Sequence, residues 1–414
     1  MNWDVRHASS QMPAGETAFM QSVAVGNVVF VSGCTCSQVG ELAPRRVEDQ
    51  VDLALENARR ELEAIGSRMD NVVKTFFLLT RLDDYGSVRR TETEFYERYA
   101  PQLVTTPPAA TLMVVPSLAR PEFLVQYEVI AALDRDMPGW EVTYYPEYWA
   151  GKELAYPHVP KEHAKFARSQ SIGNLLVISG CQALDHETLR VETSDLAEQS
   201  RIVLDKVRVA LEEAGGSLAN LVKTNVFIKD ADAVTTYREV EAAFFREHAS
   251  ELGADPPASS VFVMTELPRP EFLVEVEAFA VANAEAPGWP MHRQAGTADV
   301  AESASAGRLV FLSACDGGAD EGSAPTPIER EVASALDNVR DALARAGSAL
   351  GKIVKITLLL RDVDEYPKLQ DALLAYYREH APQLVETPPA TTFTQVPVIA
   401  PSGARVQVDV VAIT

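Results

Sequence analysis

Four cysteines among 414 residues are too few for a disulfide scaffold, and no two of them form a CxxC pair. The nearest two, Cys34 and Cys36, stand one residue apart on an expected strand, a poor geometry for closing a metal site. The seven histidines contain no HExxH motif and no paired spacing, so no metal is expected. Reduced thiols fit a cytoplasmic, intracellular protein. Positive charge is also scarce: 37 Lys and Arg face 59 Asp and Glu, for a formal net charge of −22. Such a chain has no basic surplus to neutralise phosphates, which argues against nucleic acid and against an anionic membrane surface. There is no run of 18 apolar residues, and Met1-Asn2-Trp3-Asp4 is not a basic-then-apolar leader. A soluble protein is expected.

What the chain has is repetition. Val-Val-Lys-Thr-Phe-Phe-Leu-Leu begins at Val72, Leu-Val-Lys-Thr-Asn-Val-Phe-Ile at Leu221, and Ile-Val-Lys-Ile-Thr-Leu-Leu-Leu at Ile353. Each is followed by Pro-Pro-Ala (from Pro107, Pro256 and Pro388) and preceded by Ser-(Gly/Ala)-Cys, at Ser32-Gly33-Cys34, Ser179-Gly180-Cys181 and Ser313-Ala314-Cys315. Lys74, Lys223 and Lys355 are 149 and 132 residues apart, a whole-domain period and far too long for a solenoid. Three tandem copies follow, at about 1–136, 137–285 and 286–414, with Pro-Gly-Trp junctions at Trp140 and Trp289 and Trp3 at the same place near the start. Each Trp reads as packing on its own domain edge. The second copy carries an aromatic-rich insert, 141–158, which reads either as a packed linker or as a lid over a site.

Within each copy a short apolar strand ends at the Ser-(Gly/Ala)-Cys element. A helix follows, with its apolar stripe at Val51, Leu55, Ala58, Leu62 and Ile65 in the first copy, and it stops at Gly66, Gly215 or Gly347. The lysine strand, a second helix and two further strands complete the copy. This predicts an α+β sheet with helices on one face. The bare face must be buried, and the sister copies are the available partner.

The strand ending in Ser-Gly, the Val-Lys-Thr strand, the Pro-Ala turn and the closing Val274-Glu275-Val276-Glu277-Ala278-Phe279-Ala280 together resemble the Rid family. These are the reactive-intermediate deaminases, also called YjgF-type or endoribonuclease L-PSP-like proteins. The resemblance spans essentially all of each copy. It implies three chorismate-mutase-like α+β domains, assembled here as an intramolecular pseudo-trimer in a monomeric chain, with small-molecule clefts between copies. It also implies hydrolysis of imines or enamines without a cofactor.

Carried over position by position, the family's carboxylate-binding arginine is Ala110, Ser259 and Thr391, and its cleft glutamate is Gln126, Glu275 and Gln407. Its cleft tyrosine is Phe19, Phe166 and, less directly, Val300, and its cleft asparagine is Arg89, Arg238 and Gln370. None of the small turn residues can grip a carboxylate as guanidinium does. These departures count against the family's ordinary 2-imino acid deaminase activity. Glu275 is the candidate catalytic residue, a desolvated carboxylate acting as base, though an alternating half-exposed strand would place it equally well. Ser179, Gly180, Cys181, Ser32, Gly33 and Cys34 are candidate cleft residues. Arg89 and Arg238 read either as replacement anion anchors or as solvated helix arginines. Arg120 and Arg269 read as exposed turn residues. Cys34, Cys181 and Cys315 read as buried structural thiols, cleft lining or nucleophiles, and His248 and His380 as helix-end caps. Two readings follow: an enzyme acting on a reactive imine or enamine, or a non-catalytic ligand-binding or protein-interaction module with degenerate clefts.

Overall fold

Alternation along each strand sends neighbouring side chains to opposite faces, and here the two faces belong to different cores. In the computed structural model, which describes residues 1–9, 22–37, 42–146, 166–185, 188, 190–297, 300–318, 327–400 and 402–414, Val29 and Val31 pack with the helices of the first copy. Val28 and Phe30 face the other way. The same division separates Leu176 and Ile178 from Leu175 and Val177, and Val310 and Leu312 from Leu309 and Phe311. The inward set forms a single cluster drawn from all three copies.

The first copy runs as strand Val5–Ala8, hairpin Ser22–Val25 and Val28–Cys34, helix Val47–Ala64, lysine strand Val72–Leu79, helix Tyr85–Tyr99, turn strand Ala109–Val114 and closing strand Val125–Ala132. The other two copies repeat this order. Within each copy the closing strand lies between the hairpin and the lysine strand, and the turn strand lies beyond the lysine strand. Lysine and turn strands are parallel, with Lys74, Lys223 and Lys355 opposite Ala109, Ala258 and Ala390. A parallel pair needs a crossover, which the second helix supplies. Strands of the first two copies join in one 12-stranded sheet through Ala109 and Ala167, while the third copy has its own 7-stranded sheet. The first strand of each copy was invisible to pattern reading, because four or five mixed residues carry no clear period. The helix stops hold: Gly66, Gly215 and Gly347 have φ of +88°, +87° and +73°, which only glycine adopts at little cost.

The tryptophans correct the sequence reading. Instead of covering separate domain edges, Trp3, Trp140 and Trp289 meet one another edge to face, with ring centroids 4.7, 5.0 and 5.2 Å apart. The inner sheet faces converge there, so the largest apolar side chains bury most surface by meeting each other. In the aromatic-rich insert, Val142–Pro146 forms a strand against Ala167–Ile172. Residues 147–158 of that insert, and Phe19, lie outside the described residues.

Each lysine reaches across a seam. Lys74 pairs with Glu277 of the second copy (2.8 Å), Lys223 with Asp409 of the third (2.6 Å), and Lys355 with Glu128 of the first (2.7 Å). A hydroxyl completes each group: Thr111 bonds both Lys74 and Glu277, Ser260 bonds both Lys223 and Asp409, and Thr392 bonds both Lys355 and Glu128. A register shift just before every lysine re-aims its side chain. The contacts run from first copy to second, second to third, and third back to first.

Candidate functional site

The Ser-Gly element sits at a break in strand register, between Val31 and Cys34 in the first copy and between Ile178 and Cys181 in the second. The break frees the Ser hydroxyl to reach the neighbouring copy. Ser179 Oγ accepts from the Ala110 amide (2.9 Å), Ser313 Oγ from the Ser259 amide (2.9 Å), and Ser32 Oγ from the Thr391 amide (2.8 Å). The sequence candidates therefore do not form one site. Ala110, Arg89, Phe166, Ser179, Gly180 and Glu275 meet at the first seam. Arg238 and Ser259 belong to the second, with Arg238 donating to Ser259 Oγ at 2.9 Å. Ser32 and Gly33 belong to the third.

The first seam holds a small cleft of about 30 Å³, open to solvent on one side and lined by Phe77, Tyr85, Arg89, Ala110, Thr111 and Leu112 from the first copy and Phe166, Gln182 and Pro268 from the second. Glu275 lies just behind this lining and is fully buried. Its carboxyl presses on Gly180 so closely that a Cβ there would stand 1.8 Å from Oε1. That close approach is why glycine is needed at this position.

Burial pushes the Glu275 carboxyl up to about 8, with Gln182 and Lys74 opposing and Glu277 adding to the rise. Gln182 is near enough to favour the ionised form, yet neither carboxyl oxygen has a hydrogen bond of normal geometry. Burial raises Glu275 as the sequence reading expects, and a value of about 8 favours the protonated form at pH 7. The counterpart in the first copy behaves differently. Gln126 lies over Gly33 in the same way, but its amide donates to Phe393 O across the third seam at 3.2 Å. One seam is stitched at this position, while the other presents a buried acid without a hydrogen bond of normal geometry.

Arg89 is buried and not a solvated helix arginine. Its Nη1 lies 2.5 Å from Glu92, which in turn accepts from Tyr96 at 2.9 Å. Arg269 is also buried, against the expectation of exposure, and interacts electrostatically with Tyr85, whereas Arg120 is exposed as expected. The turn that carries Arg269 folds onto the seam, which no local pattern announces. The cysteines are not cleft lining: Cys34 and Cys181 belong to the domain cores, and Cys34, Cys181 and Cys315 lie 3.3, 3.5 and 3.6 Å from the carbonyl oxygens of their own Ser-Gly or Ser-Ala elements. Burial pushes the Cys34 thiol up and that of Cys315 to about 12, so neither is a thiolate at neutral pH. His248 and His380 pack at a tilt against Phe244 and Tyr376 of their own helix ends. Among the described residues no three His, Cys, Asp or Glu side chains cluster as metal ligands, and no helix is long and apolar enough to cross a membrane. Sequence reasoning missed Tyr85, Thr111 and Gln182, although a hydroxyl two places after the Ala of each Pro-Pro-Ala, at Thr111, Ser260 and Thr392, was a repeated signal for the second.

A sequence model of the family described as endoribonuclease L-PSP matches residues 9–133, 157–282 and 297–414. The chain belongs to the endoribonuclease L-PSP family. Among its relatives, the 2-iminobutanoate/2-iminopropanoate deaminase of Escherichia coli K12 is 33% identical over 130 residues, 31% of this chain and 97% of that protein. A RutC family protein of Pyrococcus abyssi is 31% identical over 130 residues, 31% of this chain and 96% of its own. Of solved structures, a Mycobacterium tuberculosis member of the YjgF/YER057c/UK114 family is 27% identical, covering 34% of this chain and 99% of that one, with a TM-score of 0.27. The family match accounts for the threefold repeat, since one copy of this L-PSP chain corresponds to one whole relative.

Proposed function

We propose that this protein is a cofactor-independent Rid-type hydrolase that deaminates a small imine or enamine, with the first seam of a one-chain pseudo-trimer as its working cleft. The observation that carries the reading is Glu275: a fully buried carboxyl pressed on Gly180, directly behind a cleft formed by two copies, which burial pushes up to about 8. Water adds to the imine carbon and the C=N bond becomes a carbinolamine. Glu275 gives its proton to the nitrogen, the C–N bond breaks, and ammonia leaves. The carbinolamine hydroxyl returns a proton to the carboxylate as the carbonyl forms. Family membership and a deaminase relative at 33% identity support this class of chemistry. Gln126, with its amide already spent, supports one working cleft and not three.

The test is ammonia release from 2-iminobutanoate generated in situ, measured above the spontaneous rate. The parent chain is expected to turn it over, more slowly as pH rises past about 8, where the acid ionises. Glu275→Gln removes the proton donor and is expected to lose roughly a hundredfold in rate, within the range for general acid catalysis. Parent and variant rates that agree would overturn the role of Glu275. No release from this imine or from larger ones would favour a binding module instead.

A further inference from the structure

We propose that Gln182 is the positioning residue of the first seam: its side-chain amide holds the Glu275 carboxylate between the loss and the return of its proton. The inference rests on Glu275 being the acid of the proposed reaction. A fully buried carboxylate with no donor is too costly to form at every turnover, so a donor must be close at hand. Most of the nearby groups are committed elsewhere. Lys74 is held by Glu277 at 2.8 Å and by Thr111, and the Gly180 amide donates to Thr111 Oγ1 at 3.2 Å. Glu277, two residues along the same strand, adds a like charge. Tyr85, with Arg89 and Arg269 around it, acts on the carboxyl from the other copy, across the seam.

Gln182 is placed differently. It stands directly opposite Glu275 on the paired strand, so the two side chains share a face at a spacing set by the sheet and not by the seam. It also lines the cleft, behind which Glu275 lies. Lys206 Nζ donates to its carbonyl at 2.9 Å, which pins the backbone and leaves the side chain to move. Burial pushes the carboxyl up, and Gln182 is the strongest influence opposing that rise, ahead of Lys74. The other copies lack the combination. In the first copy Thr35, which has no amide, follows Cys34. The third copy reverses the pair, with Asp316 opposite Gln407 and accepting from the Gly318 amide at 2.9 Å.

Infrared spectroscopy of the full chain reads this without requiring turnover. Between roughly pH 6 and 10, above the ordinary carboxylate range, a protonated-carboxyl band present in the parent and absent from Glu275→Gln reports Glu275 alone. It is expected to fade through about pH 8. Gln182→Leu is expected to move that midpoint up by about one pH unit, the worth of a hydrogen bond to a charged group. Tyr85→Phe is expected to move it less. In ammonia release from 2-iminobutanoate, Gln182→Leu is expected to lower kcat about tenfold with KM within about twofold of the parent. Gln182→Thr, which brings in the residue of the first copy, reads the same midpoint if the leucine variant does not fold. A midpoint that matches the parent, or that moves less than in Tyr85→Phe, overturns the inference whatever the rates. A raised midpoint without ammonia release from any imine leaves Gln182 standing as the partner of Glu275 and removes the deaminase reading. Release by the parent with an unmoved midpoint does the reverse.

Discussion

Glu275 and Gln126 occupy one structural position in two copies and differ by a single terminal group. The amide of Gln126 has a donor to spend on Phe393 O, whereas an ionised Glu275 would have only acceptors to offer. Its carboxyl is therefore held protonated to about 8 when folded, against the usual carboxylate value of 4.5 in the unfolded chain. Between those pH values the unfolded chain has released a proton that the folded chain keeps, so stability is fully present below about 4.5 and is lost as pH rises through 8. Glu275→Gln removes that loss. It is expected to raise the melting temperature more at pH 9 than at pH 5, by an amount worth a few kcal/mol at the higher pH. Equal shifts at both pH values would show that the carboxyl is not held neutral. The variant should thus be more stable and less active, as happens when a buried polar group is kept for function. The sequence singled out Glu275 by its position among repeated motifs. It could not show which way the proton lies, because desolvation by Gly180, Gln182 and Tyr85 is a property of packing.

At the level of the element, the lysine strand explains its own repetition. Read locally, it is an apolar strand interrupted by one cation. In the fold that cation is fully desolvated and bonded to a hydroxyl from the adjacent parallel strand and an acid from another copy. A buried ion pair adds little stability compared with well-packed apolar residues, but breaking one by removing a single partner is costly. Lys223→Met should therefore cost about 3–5 kcal/mol in denaturant unfolding, by leaving Asp409 buried without its cation. Adding Asp409→Leu should recover most of the loss. A double variant no more stable than the single one would contradict this account. The lysines were legible in the sequence. Glu277, Asp409 and Glu128 were not, because nothing in a strand's own pattern says which distant chain segment will face it.

For the whole molecule, the decisive feature is closure. The third seam joins Lys355 to Glu128 and Thr391 to Ser32, bringing the last copy back to the first. The inner sheet faces of the three copies share one apolar cluster with the three tryptophans in it. Few large apolar side chains are left outside: among the described residues only Met1, Val5, Leu42 and Tyr99 are exposed. A chain whose sticky faces already satisfy one another has no reason to associate further. Light scattering at micromolar concentration is expected to return the mass of one chain. A mass of three chains would mean that these faces are satisfied between molecules instead.

The sequence by itself determined the threefold repeat, the order of strands and helices in each copy after its short first strand, the glycine helix stops and the family. These depend on periodicity and on local backbone preference, which a chain carries wherever it folds. The tertiary structure alone decided which copies face each other, that Trp3, Trp140 and Trp289 meet, that Arg89 and Arg269 are buried, and that Glu275 is buried enough to push its carboxyl up to about 8. Each of those depends on which groups exclude water from a given side chain, and here many of those groups belong to a different copy.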